Sequence, residues 1–195
     1  MRDRILEAAA DLFFEKGLDG TSMRDIAAAV GLVPSSLYNH FPTRDSLITA
    51  VMERSFELVD GTVRGLFDEP PSVGLLRRVL EAHALQHVHG IKETMVFEFE
   101  GRHMPEAVRN RVVELRHIYE RRFYDLADRL AEMGLVTRDE TRTRMRLLLS
   151  AGGKIGDWFQ PGGRFTEEEV AAIYAQFGLA SLDVDPNLRQ PLSPK

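Results

Sequence analysis

The sequence predicts an all-α protein of about nine helices, built from a three-helix head and a larger helical body. Apolar residues recur at helical spacing along most of the 195-residue chain, and no segment keeps the alternation of a half-buried strand. Capping residues and glycine or proline stops separate the periodic segments from one another. From these breaks we expect a head over residues 1–47, a body over 48–182 and a disordered, proline-containing tail over 183–195.

Four helices are predicted in the first third of the chain. Gly17 stops the first, and Ser22 and Asp25 are spaced as a capping box at the start of the second. Pro42 stops the third helix, and Thr43 can cap the fourth. These helices span about 2–16, 22–29, 34–40 and 43–67.

Five further helices are predicted in the body, after a break at Pro70. Gly134 ends the longest of them. The last two each begin at a capping-box spacing, formed by Thr137 with Glu140 and by Thr166 with Glu169. The five helices span about 73–89, 92–100, 105–133, 138–159 and 167–180.

The composition is that of an ordinary globular protein, with 44% hydrophobic and 28% charged residues. Since the chain has no cysteine, structural disulfides, thiolate metal sites and cysteine nucleophiles are excluded. No apolar run approaches the roughly 20 residues that span a bilayer, and the N-terminus lacks a signal-peptide cleavage pattern. We therefore expect a cytoplasmic protein with no membrane partner.

Residues 21–41 meet the geometric demands of a helix-turn-helix. Ala27 supplies the small residue where two helices cross, and Gly31 supplies a sharp turn for which we expect a positive φ. Buried apolar residues must flank these points, and the residues expected to do so are Ile26, Val30, Val33 and Leu37. The second helix of such a motif can lie in the major groove of DNA and present its early residues to base edges.

Charge alone argues against nucleic-acid binding. The net charge is −5, and the first 50 residues carry five basic and seven acidic side chains. Because affinity for DNA rests largely on basic groups that neutralise phosphates, the prediction depends on motif geometry instead.

The chain resembles the tetracycline-repressor (TetR) family over about residues 5–55. The matching phrases are AADLFFEKG (9–17), TSMRDIA (21–27), GLV (31–33), SLYNHF (36–41) and RDSL (44–47). The resemblance implies an all-helical homodimer with a three-helix DNA-binding head and a ligand-binding body. We therefore expect a transcriptional regulator and not an enzyme, and we expect it to need no cofactor. More specifically, we expect a repressor that binds a palindromic operator and is released from it by a small hydrophobic ligand.

The expected phosphate contacts come from both ends of the motif. Thr21 and Ser22 stand at a helix N-terminus, where hydroxyls and backbone amides can hold a phosphate. The resemblance implies that Tyr38, His40 and Arg44 are further phosphate partners. For Tyr38 and His40, packing between the first and third helices is the alternative.

The expected base contacts come from the start of the third helix. Ser35, Ser36 and Asn39 carry short polar groups that can reach donors and acceptors in the major groove. Arg24 and Pro34 complete the set of expected DNA-binding residues.

A dimer interface is expected in the last two helices. Three glycines fall inside the predicted helix 138–159, where each costs about 1 kcal/mol relative to alanine. Such a cluster indicates a place where two backbones approach closely, and by the resemblance these helices form a four-helix bundle with the partner chain. Packing within one chain is the alternative. The expected interface residues are Gly152, Gly153, Gly156, Ile173, Tyr174 and Phe177.

The expected ligand is an acyl-coenzyme A thioester, because residues 158–166 resemble a linker found in TetR members that respond to such esters. Lys154 and Trp158 stand four residues apart on the predicted helix, where they could receive a phosphate or pantetheine arm. A lysine packed over a core tryptophan is the alternative. The expected apolar lining, each member of which also fits plain core, is Leu85, Val88, Met95, Phe97, Phe99, Met104 and Tyr119.

Three other functions remain open. His83 and His87, with His89 nearby, have helical metal-ligand spacing and allow a metal-responsive regulator. Glu98 and Glu100 could contact cationic drugs in a multidrug sensor.

A di-metal enzyme is the third alternative, because Glu100 with His103 and Glu114 with His117 form two E-x-x-H pairs. However, only 14 residues separate the two pairs and Pro105 lies between them, which leaves no room for two long antiparallel helices. The di-metal arrangement is therefore not expected. At His83, His87 and His89 no carboxylate completes an obvious site, so no metal ligands are assigned, although a metal-responsive regulator stays an alternative.

Overall fold

A computed structural model describes residues 1–89, 104–185 and 187 of the chain. This described part is helical and contains no β-strand, which confirms the predicted all-α class. The helices are α1 (Arg2–Lys16), α2 (Met23–Ala29), α3 (Pro34–His40), α4 (Arg44–Arg64), α5 (Val73–His89), α6 (Glu106–Glu132), α7 (Thr141–Gly152) and α8 (Glu167–Ser181), with 3-10 turns at Gly65–Asp68 and Ile155–Asp157. The helix predicted over 92–100 lies outside the described residues. None of the described helices has the length and apolar character needed to cross a bilayer.

Local capping fixes most of the helix starts that the sequence predicts. The Ser22 hydroxyl accepts from the Asp25 amide at 3.2 Å, and the Asp25 carboxylate accepts from the Ser22 amide at 2.9 Å. The same reciprocal arrangement joins Thr43 with Ser46 before α4 and Thr166 with Glu169 before α8. These predicted starts are confirmed.

The capping box predicted for Thr137 and Glu140 is wrong. Glu140 precedes α7 in the left-handed region, with φ 59°, and its side chain makes no cap hydrogen bond. Thr137 is used elsewhere: its amide donates to the Leu182 carbonyl at 3.0 Å, and its carbonyl accepts from the Thr141 hydroxyl. The helix therefore starts at Thr141, three residues later than expected.

Helix α7 also ends earlier than the sequence predicts. It stops at Gly152, Gly153 follows as its C-terminal cap, and Gly156 lies in the 3-10 turn. Glycine lowers helix stability by about 1 kcal/mol relative to alanine, and three glycines within five residues break the helix instead of bending it. Lys154 and Trp158 flank the 3-10 turn, so they do not share the face of a continuous α-helix.

The described residues belong to two compact units. The first, called the head unit, contains the described residues 1–58 and 104–117. Its core is one apolar cluster to which α1, α2, α3, the first half of α4 and the start of α6 contribute. Fully buried members include Phe13, Ile26, Leu37, Ile48 and Val112.

The second unit, called the body unit, contains the described residues 59–89 and 118–185. Helix α5 packs along α8 at its centre. The approach is close enough that a β-carbon on Gly178 would lie 2.7 Å from Cδ1 of Leu80. Beyond α8, Val184 is fully buried and Asp183 pairs with Arg144 at 2.7 Å, so the chain stays packed at least this far.

Candidate nucleic-acid interface and the interior of the body unit

The turn between α2 and α3 has the geometry of a helix-turn-helix. Gly31 has φ +73°, in the region that glycine adopts without strain, and the Leu32 amide closes the turn by donating to the Ala27 carbonyl at 2.8 Å. Ala27 is fully buried where α2 meets its neighbours, and Leu37 anchors the inner side of α3. The expected burial of Val33 is wrong, since it precedes the first turn of α3 and is 61% exposed. The predicted positive φ of Gly31 is confirmed.

This anchoring leaves the outer side of α3 in solvent. Ser35, Tyr38, Asn39 and His40 are all exposed, whereas Ser36 is half-buried. The Tyr38 ring is 47% exposed, so neither it nor the imidazole of His40 is packed away against α1. The exposed set offers hydroxyl, amide and imidazole groups on one short helix, which is the chemistry that base edges and phosphates require.

At the start of α2 the two hydroxyls are already engaged. Thr21 is buried, and its hydroxyl lies 3.0 Å from the Leu12 carbonyl and 2.9 Å from the Gly17 carbonyl. The Ser22 hydroxyl belongs to the capping box, and its hydrogen bonds lower the pKa of Asp25. Thr21 therefore supports the loop from inside, whereas Arg24, on the first turn of α2, is exposed.

Arg44 has an internal partner that sequence reasoning missed. Its guanidinium donates to the Leu18 carbonyl in the loop between α1 and α2, and the side chain is half-buried. Arg44 thus fixes the start of α4 against the loop that leads into the helix-turn-helix. Only contact across the fold reveals this role, because the two residues lie far apart in sequence.

The residues predicted for the dimer interface separate into two groups. Ile173 and Phe177 are exposed on α8, at 47% and 59%, whereas Gly152 and Tyr174 are buried inside the body unit. A β-carbon on Gly152 would clash with the His83 ring, and the Tyr174 hydroxyl donates to the Leu148 carbonyl at 2.7 Å. Gly152 and Tyr174 are therefore interior residues, while Gly153 and Gly156 are half-buried.

Sequence reasoning also missed an apolar residue on α7. Leu147 is 66% exposed, although its neighbours Leu148 and Leu149 are buried. An apolar residue on the polar side of an amphipathic helix was the available signal. Leu147, Ile173 and Phe177 together give the body unit an exposed apolar surface on α7 and α8, called the apolar face below.

The interior of the body unit contains a polar cluster centred on His83. The ring is 2% exposed, and its Nδ1 lies 2.8 Å from the Tyr119 hydroxyl. Burial, and secondly the charge of His87, hold the pKa of His83 well below its usual value. Burial likewise raises the pKa of Tyr119 and of Tyr174. The cluster is therefore neutral at ordinary pH and is held by hydrogen bonds.

A second polar contact lies at the end of α4. Asp60 is 9% exposed and accepts from Nε of Arg64 and from Nη1 of Arg122, each at 2.7 Å. Two guanidinium groups satisfy both carboxylate oxygens, as a buried charge requires. The pair ties α4 to α6 within the body unit.

The residues expected to bind a ligand are distributed over both units. In the body unit Val88 and Tyr119 are buried and Leu85 is half-buried, whereas Met104 belongs to the core of the head unit. Met95, Phe97 and Phe99 lie outside the described residues.

The two residues expected to receive the polar arm of the ligand are on the surface. Trp158 is 56% exposed and Lys154 lies 3.6 Å from Asp157, so Lys154 does not cover a core tryptophan.

The residues behind the metal and enzyme alternatives have other partners. His89 lies 2.6 Å from Glu167, and Glu114 pairs with Arg111, which also pairs with Glu53. Within residues 1–89 and 104–185, no three acidic or histidine side chains are grouped as metal ligands. Glu98, Glu100 and His103 lie outside the described residues.

Two family models match this chain. That of the bacterial regulatory proteins of the tetR family matches residues 5–51, and that of the tetracyclin repressor-like C-terminal domain matches residues 70–182. The HTH-type transcriptional repressor KstR2 of Rhodococcus jostii (strain RHA1) is 27% identical over 190 residues, which cover 92% of this chain and 91% of the relative.

Solved structures agree with these matches. The TetR family transcriptional regulator PfmR from Thermus thermophilus has a TM-score of 0.81 at 28% identity, covering 92% of this chain and 99% of that chain. The structure of AibR in complex with isovaleryl coenzyme A and operator DNA also has a TM-score of 0.81, at 25% identity, covering 90% and 96%.

Proposed function

Because the chain belongs to the TetR family of transcriptional regulators, which are not enzymes, we propose that it represses transcription by inserting α3 into an operator and that a small hydrophobic ligand releases it. The observation that carries this proposal is the exposed polar surface of α3, fixed by the Gly31 turn and the buried Leu37. This anchoring keeps the polar side chains of α3 on its solvent side, where a base-reading helix needs them.

The base-reading residues on this surface are Ser35 and Asn39. Both are exposed on α3 and short enough to lie against base edges, whereas we assign the longer exposed side chains of Tyr38 and His40 to phosphate contacts. Acidic residues outnumber basic ones among the first 50 residues, so each DNA-binding domain can make only a few phosphate contacts. Affinity for the operator therefore depends on two such domains binding together.

The second head comes from a second copy of the chain, and we place the contact at the apolar face of α7 and α8. Three large apolar side chains exposed at 47% or more on two adjacent helices favour burial in an assembly. A two-fold dimer reads half-sites separated by one helical turn of DNA, roughly 34–36 Å, or a multiple of it. The operator is therefore palindromic, and a ligand that changes the separation of the heads weakens binding.

The ligand class that we propose is an acyl-coenzyme A thioester. The AibR complex with isovaleryl coenzyme A supports this class, as does the resemblance of residues 158–166 to a linker of acyl-thioester-responsive members. The surface positions of Lys154 and Trp158 agree with contacts to the polar part of such a ligand, because the Lys154 ammonium, which lies 3.6 Å from Asp157, and the Trp158 indole are both exposed.

The experiment has two steps. An operator is first selected from random duplex DNA by the full-length protein, and its affinity is measured by fluorescence anisotropy at several salt concentrations. Release is then measured with free fatty acids, acyl-coenzyme A esters of increasing chain length and unrelated cationic drugs. Release by the esters alone supports the proposal, whereas release by cationic drugs alone replaces it with a multidrug sensor.

A matched variant locates the ligand contact. Lys154→Ala is expected to lose the ester response while it keeps operator affinity, and Lys16→Ala, at an exposed lysine of α1, provides the control. An unchanged ester response in Lys154→Ala would move the ligand site elsewhere.

A further inference from the structure

A chain of buried hydrogen bonds runs through the body unit from α7 to α5. Nε2 of His83 lies 3.3 Å from the Leu149 carbonyl, and Nδ1 lies 2.8 Å from the Tyr119 hydroxyl. The same hydroxyl lies 3.2 Å from Oε1 of Gln86. Tyr119 therefore stands between two side chains of α5 that lie less than one turn apart.

The far end of this chain holds the C-terminal part of α4. The Gln86 amide nitrogen donates to the Val59 carbonyl and to the Thr62 hydroxyl. Thr62 itself donates to the Val59 carbonyl at 3.0 Å, so its oxygen is an acceptor toward Gln86. Because a carbonyl can only accept, this end fixes the amide orientation of Gln86 and turns Oε1 toward Tyr119.

The network has one proton fewer than its contacts need. If the neutral His83 ring carries its proton on Nε2, it donates to Leu149, and both Nδ1 and the Gln86 oxygen then require the single Tyr119 proton. If the ring carries its proton on Nδ1, Tyr119 can donate to Gln86, but the bare Nε2 faces the Leu149 carbonyl. In either arrangement one buried acceptor lacks a donor, so neither position of the Tyr119 proton satisfies the whole network.

An additional proton on His83 would complete every bond, but the surroundings oppose it. The titratable groups against the ring are His87 of α5, Tyr119 of α6 and Tyr174 of α8, while α7 contributes the Leu149 carbonyl. The charges of Asp60 on α4 and Arg122 on α6 act on the Tyr119 hydroxyl. The ring is 2% exposed, and the edge of the His87 ring is nearby, with centroids 4.6 Å apart. Burial and this neighbour keep the pKa of His83 low, so the ring stays neutral.

We infer that the Tyr119 hydroxyl is a two-position hydrogen-bond switch between His83 and Gln86, and that its position sets how firmly Gln86 holds the end of α4. When the hydroxyl points to Gln86, the series of hydrogen bonds from α6 through α5 to α4 is unbroken. When it points to His83, the Gln86 oxygen loses this donor and the hold on Val59 and Thr62 weakens. Gln86 is thus a positioning residue for α4.

This switch bears on the regulator because α4 is one continuous helix from Arg44 to Arg64. Its N-terminal residues Leu47 and Ile48 lie in the core of the head unit, next along the chain to α3. The consequence for operator affinity rests on the proposed function, whereas the switch itself does not.

The direct test is the 15N spectrum of the histidine side chains in the full-length protein at neutral pH, with His83→Gln used to assign the ring. The switch predicts shifts averaged between the two neutral tautomers in the wild type. Gln86→Met removes the competing acceptor, so His83 should become a single Nε2–H tautomer. Tyr119→Phe should do the same and serves if Gln86→Met does not fold. A wild-type ring that is already one tautomer, or is an imidazolium, overturns the inference.

The second readout is amide hydrogen exchange in the last two turns of α4. Gln86→Met should raise exchange there by about tenfold, while Gln160→Met, the same change at an exposed glutamine, should leave it unchanged. Operator affinity of Gln86→Met should change by about tenfold with the dimer intact. If Gln86→Met keeps both the operator affinity and the amide exchange of the wild type, the positioning role of Gln86 is contradicted. If the wild-type protein selects no DNA at all, only the proposed function is contradicted.

Discussion

A β-carbon on Gly152 would lie 2.4 Å from Nε2 of His83, so the imidazole fills the space that any other residue would need. The same carbon would lie 3.1 Å from the Tyr174 hydroxyl. The glycine at the end of α7 therefore permits α5, α7 and α8 to pack around one buried ring. Packing within a single chain therefore accounts for Gly152, although the glycine cluster in the sequence had indicated a contact between two chains.

The first prediction concerns this contact. Gly152→Ala should lower the free energy of unfolding by about 1–3 kcal/mol, because the ring and the helix must separate to admit a methyl group. Gly61→Ala is the matched control: Gly61 lies in α4, its β-carbon would meet nothing within 4 Å, and the substitution should stabilise the protein by up to about 1 kcal/mol. Urea unfolding of both variants checks the pair, and equal effects would refute the close packing of Gly152.

The second prediction follows from the low pKa of His83. Because burial and then His87 depress that pKa, the unfolded chain binds more protons than the folded chain once the pH falls below about 6.5. The free energy of unfolding should therefore fall on acidification, by up to about 1.4 kcal/mol per pH unit from this group. Denaturant unfolding between about pH 7.5 and pH 5 measures the slope.

Two histidine variants separate this group from the other titrating residues. His83→Gln should show a shallower slope than the wild type, although its stability at neutral pH is lower. His117→Gln, at an exposed position of α6, should keep the wild-type slope. A His83→Gln slope equal to that of the wild type would assign the pH dependence to other groups.

The third prediction concerns Arg44 and its hydrogen bond to the Leu18 carbonyl. Arg44→Ala should destabilise the head by about 1 kcal/mol, a value reduced because the side chain is half-exposed to solvent. Operator affinity should fall on all sequences alike, because the loop before α2 loses its support. Arg54→Ala is the control, because Arg54 is another α4 arginine that donates to a backbone carbonyl, the carbonyl of Asp3. This variant should leave the operator affinity unchanged. Lost affinity with unchanged stability would instead make Arg44 a direct phosphate contact.

The fourth prediction concerns the apolar face. The wild type should form a dimer of about 44 kDa, twice the 22.1 kDa of one chain, and Phe177→Asp should convert it to a folded monomer. Met133→Asp is the control, since Met133 is 56% exposed at the end of α6 and outside this face. Light scattering with circular dichroism distinguishes dissociation from unfolding. A Phe177→Asp protein that remains dimeric would place the interface on another surface.

The features that could be predicted from the sequence are those determined by a few neighbouring residues. Ser22 and Asp25 cap α2, and Gly31 adopts the expected positive φ, because both depend on the local backbone alone. The exposed surface of α3 follows from the same local pattern, since one buried leucine fixes which side of a two-turn helix faces inward.

The features that escaped prediction depend on residues brought together by folding. The partner of Arg44 is a carbonyl in another loop, and the reason for Gly152 is a ring on α5. The contact between Tyr119 and Gln86 also depends on folding. In the sequence, Tyr119 fits an apolar core and Gln86 fits a helix surface, and neither suggests the other as its partner. Helix α7 was predicted too long because its periodicity continues past the glycines that end it.

Operator recognition by α3 is tested most directly by the base preference of Asn39→Ala. Fluorescence anisotropy at one salt concentration gives the affinity for the selected operator and for its single-base variants. The proteins compared are the wild type, Asn39→Ala and the surface control Gln160→Ala. Asn39→Ala should lose about 1–3 kcal/mol of discrimination at one base pair of each half-site, with the preference at other positions and the salt dependence retained. If Asn39→Ala keeps the full wild-type preference at every base pair, α3 does not read the operator in the way its exposed surface indicates.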